Sequence, residues 1–345
     1  AIIPNYNHAA FLEQRFESII NQTYDNIEII FLDDHSQDGS LDVAEKFKEK
    51  FPEKIKIFSN EINSGNVFRQ WRKGVDAAQG EIIWICESDD FADEKFVEKL
   101  VGHFVDPSVQ IAFGRIQYCN RDGNFQDGLD GYRERAQEGI WDTTLVKPAG
   151  WWFTNAFSVS NVIANVGGCL IRRHDVREDV WQKAQQFHVL GDWYLYAEWA
   201  AGGQIVYSPD AIAYFRQHEK NTSVNSFKTA RFYGEHQELI EYLRRKWGVD
   251  DDHVMRFADA LKSTFTSGAA EGVIGPFESV FSLEQALACQ RESQHIIFAV
   301  LGFKLGGGEI LPIQLANALI KQGIMVSFLV YEHTGEDPQI RALLD

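Results

Sequence analysis

An apolar run at residues 81–86 (EIIWIC) breaks directly into Glu87, Ser88, Asp89 and Asp90, three carboxylates within four positions. A second acidic pair, Asp33 and Asp34, closes another apolar run, IEIIFL at 27–32. Carboxylates this close repel one another and resist desolvation unless protons or a cation neutralise them. One acidic pair at a strand end is ordinary loop or cap chemistry. Two clusters on the same edge of one sheet point to a hard-cation site instead. Such a site suits Mg2+ or Mn2+ bound through oxygen, with substrate phosphates and water completing the shell.

The elements around these acids must bring the two clusters together. AIIP at the start reads as a strand, followed by an amphipathic pattern with Phe11, Leu12, Phe16, Ile19 and Ile20 on one face. IEIIFL is a second strand, and Ser40 is placed to cap a helix carrying Leu41, Val43, Ala44 and Phe47. IKIF (55–58) is a short strand, 65–78 a helix, and EIIWIC a further buried strand, after which Asp93 caps a helix with Phe96, Leu100, Val101 and Phe104. Strands without polar alternation between amphipathic helices predict a mostly parallel α/β sheet covered on both faces. Ligands of such sheets bind at the carboxyl ends of the strands, where both acidic clusters fall. Residues 115–165 read as loops and short strands, LGDWYLYAEWAAGG (190–203) as a helix closed by glycines, and IVYSPDAIAYFRQH (205–218) as two strand pieces. Residues 226–290 are helical, with EHQELIEYLRRKW clearly amphipathic.

The chain has 345 residues, 45% hydrophobic and 13% aromatic, which fits a globular protein of more than one domain. A net charge of -17 argues against nucleic-acid binding, which relies on Lys and Arg facing phosphate. Cys86, Cys119, Cys169 and Cys289 lie far apart with no CxxC pair, as expected for reduced thiols in the cytoplasm. No apolar run approaches the roughly 18 residues of a membrane span, so any attachment to the inner face of the membrane is peripheral. The chain opens inside a strand and closes in a helix-like pattern, so both ends are expected to be cut from a longer polypeptide.

The segment IIPNYNHAAFLEQRFESIINQTYDNIEIIFLDDHSQDGS, with its P-x-Y-N entry, QTY, and DD-x-S-x-D-G-S turn, resembles the opening of family-2 glycosyltransferases of the GT-A fold. ESDD falls where that family carries its Asp-x-Asp motif, and the resemblance covers residues 1–225. It implies metal-dependent, inverting transfer of a sugar from a nucleotide-diphosphate donor, UDP- or dTDP-linked by preference. The implied acceptor is a hydroxyl of a glycan or lipid-linked chain in bacterial surface polysaccharide synthesis, and the implied cofactor Mn2+ or Mg2+. Residue by residue, Pro4, Asn5 and Tyr6 would line the nucleoside pocket, and Asp33 with Asp34 would bind the base. Glu87, Asp89 and Asp90 would hold the ribose and the metal, with Glu87 a longer arm where Asp is commoner. LGDW resembles the family's acidic dipeptide with Gly191 in place of its first acid, which makes Asp192 the candidate base; its plainer role is an N-cap. His218 would join Asp89 and Asp90 at the metal, and Arg216 would meet the diphosphate. Arg69, Arg72 and Lys73 read as solvated.

A sugar-phosphate nucleotidyltransferase would need a Gly-rich, basic loop after its first strand, and PNYNHAAF is not one. A catalytically inactive sugar-nucleotide-binding module stands as the other alternative. Residues 226–294 are expected to be a helical extension or linker. In 295–345 a strand (IIFAV), Gly306–Gly308, an apolar helix and a second strand (MVSFLVY) resemble the start of a family-4, GT-B-fold transferase, an incomplete second domain.

Overall fold

The computed structural model describes residues 1–128, 131–219, 221, 226–289, 295–300, 312–316, 319 and 325–330. They fall into two compact units, Ala1–Cys289 and Gln290–Asp345.

The first unit begins with β1 (Ile2–Asn5), α1 (Ala9–Ile20), β2 (Ile29–Asp33), α2 (Ser40–Lys50), β3 (Ile55–Ser59) and α3 (Val67–Ala77). The three strands form a parallel sheet in the order β1-β2-β3. Its register sets Asn5 beside Asp33, so the loop after β1 and the loop after β2 leave the sheet together. Every residue of β1 and β2 is buried, because helices cover both faces. The fourth strand, expected at 81–86, is shorter: only Ile82–Ile83 form β4, and Ile85 makes a single parallel bridge to Ile2. That bridge, with Cys86 N–H donating to the Ile2 carbonyl at 2.7 Å, stitches the parallel sheet to the next one.

Next come β5 (Phe91–Ala92), α4 (Phe96–Val101), β6 (Val109–Asn120), β7 (Phe125–Gln126), α5 (Gly131–Ala136), β8 (Leu145–Pro148) and α6 (Ala149–Asn155). The core is completed by β9 (Cys169–Arg172), α7 (Glu178–Ala184), α8 (Gly191–Trp199) and β10 (Gln204–Gln217). The larger sheet runs β4-β9-β6-β10-β5, with β7 and β8 beside β6 and β10. Only β6 and β10 pair in parallel there; the other pairs are antiparallel. The fold is therefore α/β with a mixed sheet, which corrects the mostly parallel one expected. Strands such as β9 are buried on both faces whatever their direction, so an unbroken apolar run does not encode direction.

Residues 205–218 form one long strand rather than two pieces. Ser208–Ile212 is a bulge within β10, where the register against β6 shifts. Gly114 on β6 makes the close approach possible: a Cβ there would lie 2.1 Å from the Ala211 carbonyl oxygen. Helix starts also differ in detail. Gly39, at φ 85°, takes the N-cap of α2, and Ser40 is its first residue, donating its hydroxyl to Asp38. Asp93 does brace the start of α4, receiving the Lys95 N–H on its carboxylate and the Phe96 N–H on its carbonyl.

Beyond the sheet lie α9 (Ala230–Trp247), capped by Thr229 and closed by Gly248 at φ 73°, and α10 (Asp251–Ser267), capped by Asp250. Their apolar faces (Tyr233, Leu239, Ile240, Leu243; Val254, Phe257, Leu261, Phe265) enter the same core as Trp152, Phe153 and Trp193. All four cysteines are free. Among the described residues no helix is long and apolar enough to cross a membrane. In the second unit, β11 (His295–Val300) and β12 (Met325–Val330) pair in parallel. Gly306–Gly308 lie outside the described residues.

Candidate active site

Three loops meet at the strand ends: Tyr6–His8 after β1, Glu87–Asp90 after the β4 segment, and His218 after β10. His8 sits at the N-cap of α1, its Nδ1 2.8 Å from Ser88 Oγ and 4.0 Å from Asp89 Oδ1. His218 Nε2 lies 2.9 Å from Asp89 Oδ2, and Phe11 stacks on the His218 ring with centroids 5.1 Å apart. Ligand atoms of His8, Asp89 and His218 all lie within 4.8 Å of one another. Burial alone would raise the Asp89 carboxyl, but the His218 hydrogen bond and the charge of His8 outweigh it and hold it below its usual value. An ionised carboxylate between two imidazoles is a donor set that fits a divalent cation, Mn2+ better than the oxygen-preferring Mg2+.

Asp90, expected among the ligands, is outside this group. Its Oδ1 accepts the Arg216 N–H at 2.7 Å and its Oδ2 accepts Asn165 Nδ2 at 2.6 Å. The same amide nitrogen donates to Glu87 Oε2, also at 2.6 Å. The Gly167 N–H bonds Asn165 Oδ1 at 2.7 Å, so the amide can only turn its NH2 toward the acids. Burial first, and then the charges of Asp89 and Asp192, push the Glu87 carboxyl up to about 8. Burial first, and then the charges of Asp89 and Glu87, raise Asp90 well above its ordinary value. Arg15, fully buried on α1 with its guanidinium 4.9 Å from the Trp84 ring centroid, partly opposes both shifts.

Arg216, expected at the diphosphate, has its guanidinium engaged by protein groups. Its guanidinium donates to the Asp89 carbonyl (2.7 Å), the Arg121 carbonyl (2.5 Å) and Gln14 Oε1 (2.5 Å), between the rings of Phe11 and Phe91. It is a buried clamp that fixes the peptide of Asp89. Asp34 is likewise a brace: it accepts from Asn60 Nδ2, the Ser64 N–H and hydroxyl, and Gln70 Nε2. Asn5 donates to Asp33 Oδ1 and Ser36 Oγ, and Asp33 Oδ2 takes the Ser36 N–H. Pro4 is buried within β1, while Tyr6 stands 47% exposed at the loop. Of the expected solvated cations, Arg72 pairs with Glu178, Arg69 with Gln185 and the Ser64 carbonyl, and Lys73 with Asn60.

Asp192 is the second residue of α8 and not its N-cap. Its Oδ1 takes the Trp193 N–H at 2.6 Å and its Oδ2 takes Asn161 Nδ2 at 3.0 Å. Removal from water outweighs those bonds and pushes the carboxyl up to about 7. The capping is done from a distance: Glu235 on α9 accepts the N–H groups of His188 (2.6 Å), Val189 (2.9 Å) and Leu190 (3.3 Å). Gly191 is dictated by packing, since a Cβ would lie 2.5 Å from the Phe68 ring and 2.9 Å from the Ala184 carbonyl oxygen. His8, Asn161, Asn165 and Glu235 are the site residues that sequence reasoning missed. His8 alone carried a local signal, standing three residues past Asn5 just ahead of an amphipathic helix.

The chain matches glycosyl transferase family 2 over residues 1–180, more than half of its length, and belongs to that family. GlyG of Streptococcus pneumoniae serotype 4 is 30% identical over 156 residues, which cover 45% of this chain and 51% of GlyG. The chain spans about half the length of the first curated relatives it matches (51%, 48% and 47%). Among solved structures it superposes on S. aureus TarS 1–349 in complex with UDP-GlcNAc (TM-score 0.56, 16% identity, 81% of this chain and 76% of that one). It also superposes on the mannosyltransferase PcManGT of Pyrobaculum calidifontis in complex with GDP-Man and Mn2+ (TM-score 0.50, 16% identity, 81% and 76%). Those two likenesses establish the fold, that of the GT-A glycosyltransferases with a helical C-terminal region.

Proposed function

We propose that this chain carries out metal-dependent, inverting transfer of a sugar from a nucleotide-diphosphate donor to a hydroxyl of a glycan or lipid-linked acceptor. The observation that carries the reading is the convergence of His8, Asp89 and His218 within 4.8 Å of one another, with Glu87, two residues before Asp89, feeling the charges of both Asp89 and Asp192. A divalent cation held by those three residues would neutralise the departing diphosphate as a Lewis acid. Asn5, Asp33 and Tyr6 line the nucleoside end. Ionised Asp192 takes the acceptor proton while the acceptor oxygen attacks the anomeric carbon. The bond from that carbon to the diphosphate oxygen breaks on the opposite face, its electron pair leaves with the diphosphate, and configuration inverts. Asn161 and Glu235 keep Asp192 aimed. UDP, UDP-GlcNAc and GDP-Man in the structural neighbours support a nucleotide sugar as donor, and Mn2+ in one of them supports the cation. Bacterial surface polysaccharide synthesis is the setting that the family resemblance implies.

For the second unit we infer the opening β-α-β of a family-4 transferase domain. The parallel pairing of β11 and β12 supports it, because parallel neighbours need a crossover connection.

Incubating the chain with UDP-, dTDP- and GDP-sugars, with and without Mn2+, tests the main reading. Mn2+-dependent release of sugar from one of them is expected. Tight donor binding with no release, in water or with any acceptor, would make this a binding module.

A further inference from the structure

Three acids share the loop after the β4 segment, yet Asp89 alone among them meets the two imidazoles, 4.0 Å from His8 Nδ1 and 2.9 Å from His218 Nε2. Glu87 and Asp90, on either side of it, both end on one amide, that of Asn165. Its nitrogen has two N–H groups and gives one to each carboxylate, both at 2.6 Å. Asp90 has a second hold, the Arg216 N–H at 2.7 Å. Among the described residues the Glu87 carboxylate has Asn165 as its one hydrogen-bond partner.

Asn165 is itself fixed. It caps the 3-10 turn Val166–Gly168, with the Gly167 N–H on its Oδ1 at 2.7 Å. The Gly167 carbonyl in turn accepts Trp84 Nε1 at 2.8 Å. Glycine permits this approach, since a Cβ at position 167 would lie 2.8 Å from Asn165 Oδ1. A neutral amide suits the place: two donors for two acids, and an acceptor left for the backbone.

How many carboxylates face a cation affects which cation is preferred. Mg2+ takes oxygen ligands and sheds water reluctantly, whereas imidazole nitrogen suits transition metals better. One carboxylate between two imidazoles favours Mn2+, and a second carboxylate would favour Mg2+. Glu87 is the acid in reach, on a longer arm than Asp and close enough to Asp89 for their charges to interact. A cation also ionises an acidic group that reaches it, so a proton alone would not keep Glu87 away.

We propose that Asn165 sets the metal preference of the site. By binding Glu87 and Asp90 it keeps the donor set at one carboxylate and two imidazoles, and so favours Mn2+ over Mg2+. Asn165 is thus a positioning residue that acts through Glu87. The proposal rests on His8, Asp89 and His218 holding the cation.

Calorimetric titration of the full chain with MnCl2 and, separately, MgCl2, without donor, gives the ratio of the two affinities. The native chain should bind Mn2+ more tightly, and Asn165→Ala should shrink that ratio at least about tenfold, chiefly by a gain for Mg2+. Adding Glu87→Gln to Asn165→Ala should restore the native ratio, because glutamine supplies no second carboxylate. A residue that only held the fold would weaken both metals alike and leave the ratio where it was. Asn165→Asp keeps an oxygen for the Gly167 N–H and loses the NH2, and serves if Asn165→Ala shows no cooperative melt. An unchanged ratio in a folded variant, or a shift that Glu87→Gln does not reverse, overturns the proposal and leaves the cation site standing. A native chain that binds neither metal overturns the cation reading and this proposal with it.

Discussion

His218 Nε2 stands 2.9 Å from Asp89 Oδ2, joining residues 129 positions apart at one sheet edge. Arg216, two residues before His218, is bound to the Asp89 carbonyl, so the end of β10 grips both the peptide and the side chain of Asp89. Asp89→Asn should therefore weaken Mn2+ binding on the order of 100-fold by calorimetry, with His218→Ala and His8→Ala also weakening it. Asp90→Asn should leave Mn2+ affinity within a few-fold and lower thermal stability, because its oxygens serve Arg216 and Asn165. The reverse pattern, Asp90 essential and His8 dispensable, would sink the ligand assignment.

The raised carboxyl of Asp192 has two consequences with pH. Below about 7 it keeps its proton in the folded chain and cannot take another, so transfer should rise through that pH and then level off. The unfolded carboxyl ionises from about pH 4, so the native state loses stability as pH climbs between the two values. Asp192→Asn should melt above the native chain at pH 8 and level with it at pH 4. It should retain donor affinity and lose transfer on the order of 100-fold. Near-native transfer in this variant would return Asp192 to a structural role.

Glu235 acts on Asp192 from another helix, by fixing three N–H groups ahead of α8 and through its charge, which contributes to the raised Asp192 carboxyl. Glu235→Gln keeps acceptor oxygen and removes the charge, so the acid limb of the transfer profile should move to lower pH. Glu235→Ala leaves the N–H groups without an acceptor and should cost about 2–4 kcal/mol by denaturant melt. An unmoved pH limb in Glu235→Gln would reduce Glu235 to a helix cap.

Arg216→Ala separates clamp from phosphate binder. Removing a buried guanidinium that makes three hydrogen bonds should lower stability by about 3 kcal/mol or more. Affinities for UDP and for uridine should fall together, because the whole Asp89 loop is loosened. Selective loss of UDP over uridine would instead place Arg216 at the diphosphate.

Signals carried within one segment could be read from the chain; those made by distant partners could not. The alternation of apolar runs and amphipathic helices up to Phe104 corresponds to β1 through α4, and the acid clusters do lie at strand ends. IVYSPDAIAYFRQH reads as two strand pieces, yet forms one bulged strand because Gly114, far away in sequence, lets β10 run on against β6. Glu87, Asp89 and Asp90 look alike in sequence. Asn165, 75 residues beyond Asp90, and His218, 129 beyond Asp89, decide which acid is tied up and which faces the cation group.

Gly191 has an evolutionary side. An acid placed there by one substitution would strike the Phe68 ring and the Ala184 carbonyl oxygen together. Trimming Phe68 frees only half of the space, since the other obstacle is backbone and moves only with the end of α7. A side chain at position 191 thus needs room made at both neighbours before it can be accepted without loss. A lineage that has settled into this packing leaves it by coordinated substitutions in α3, α7 and α8. Relatives with an acid at this position should differ at the Phe68 position as well.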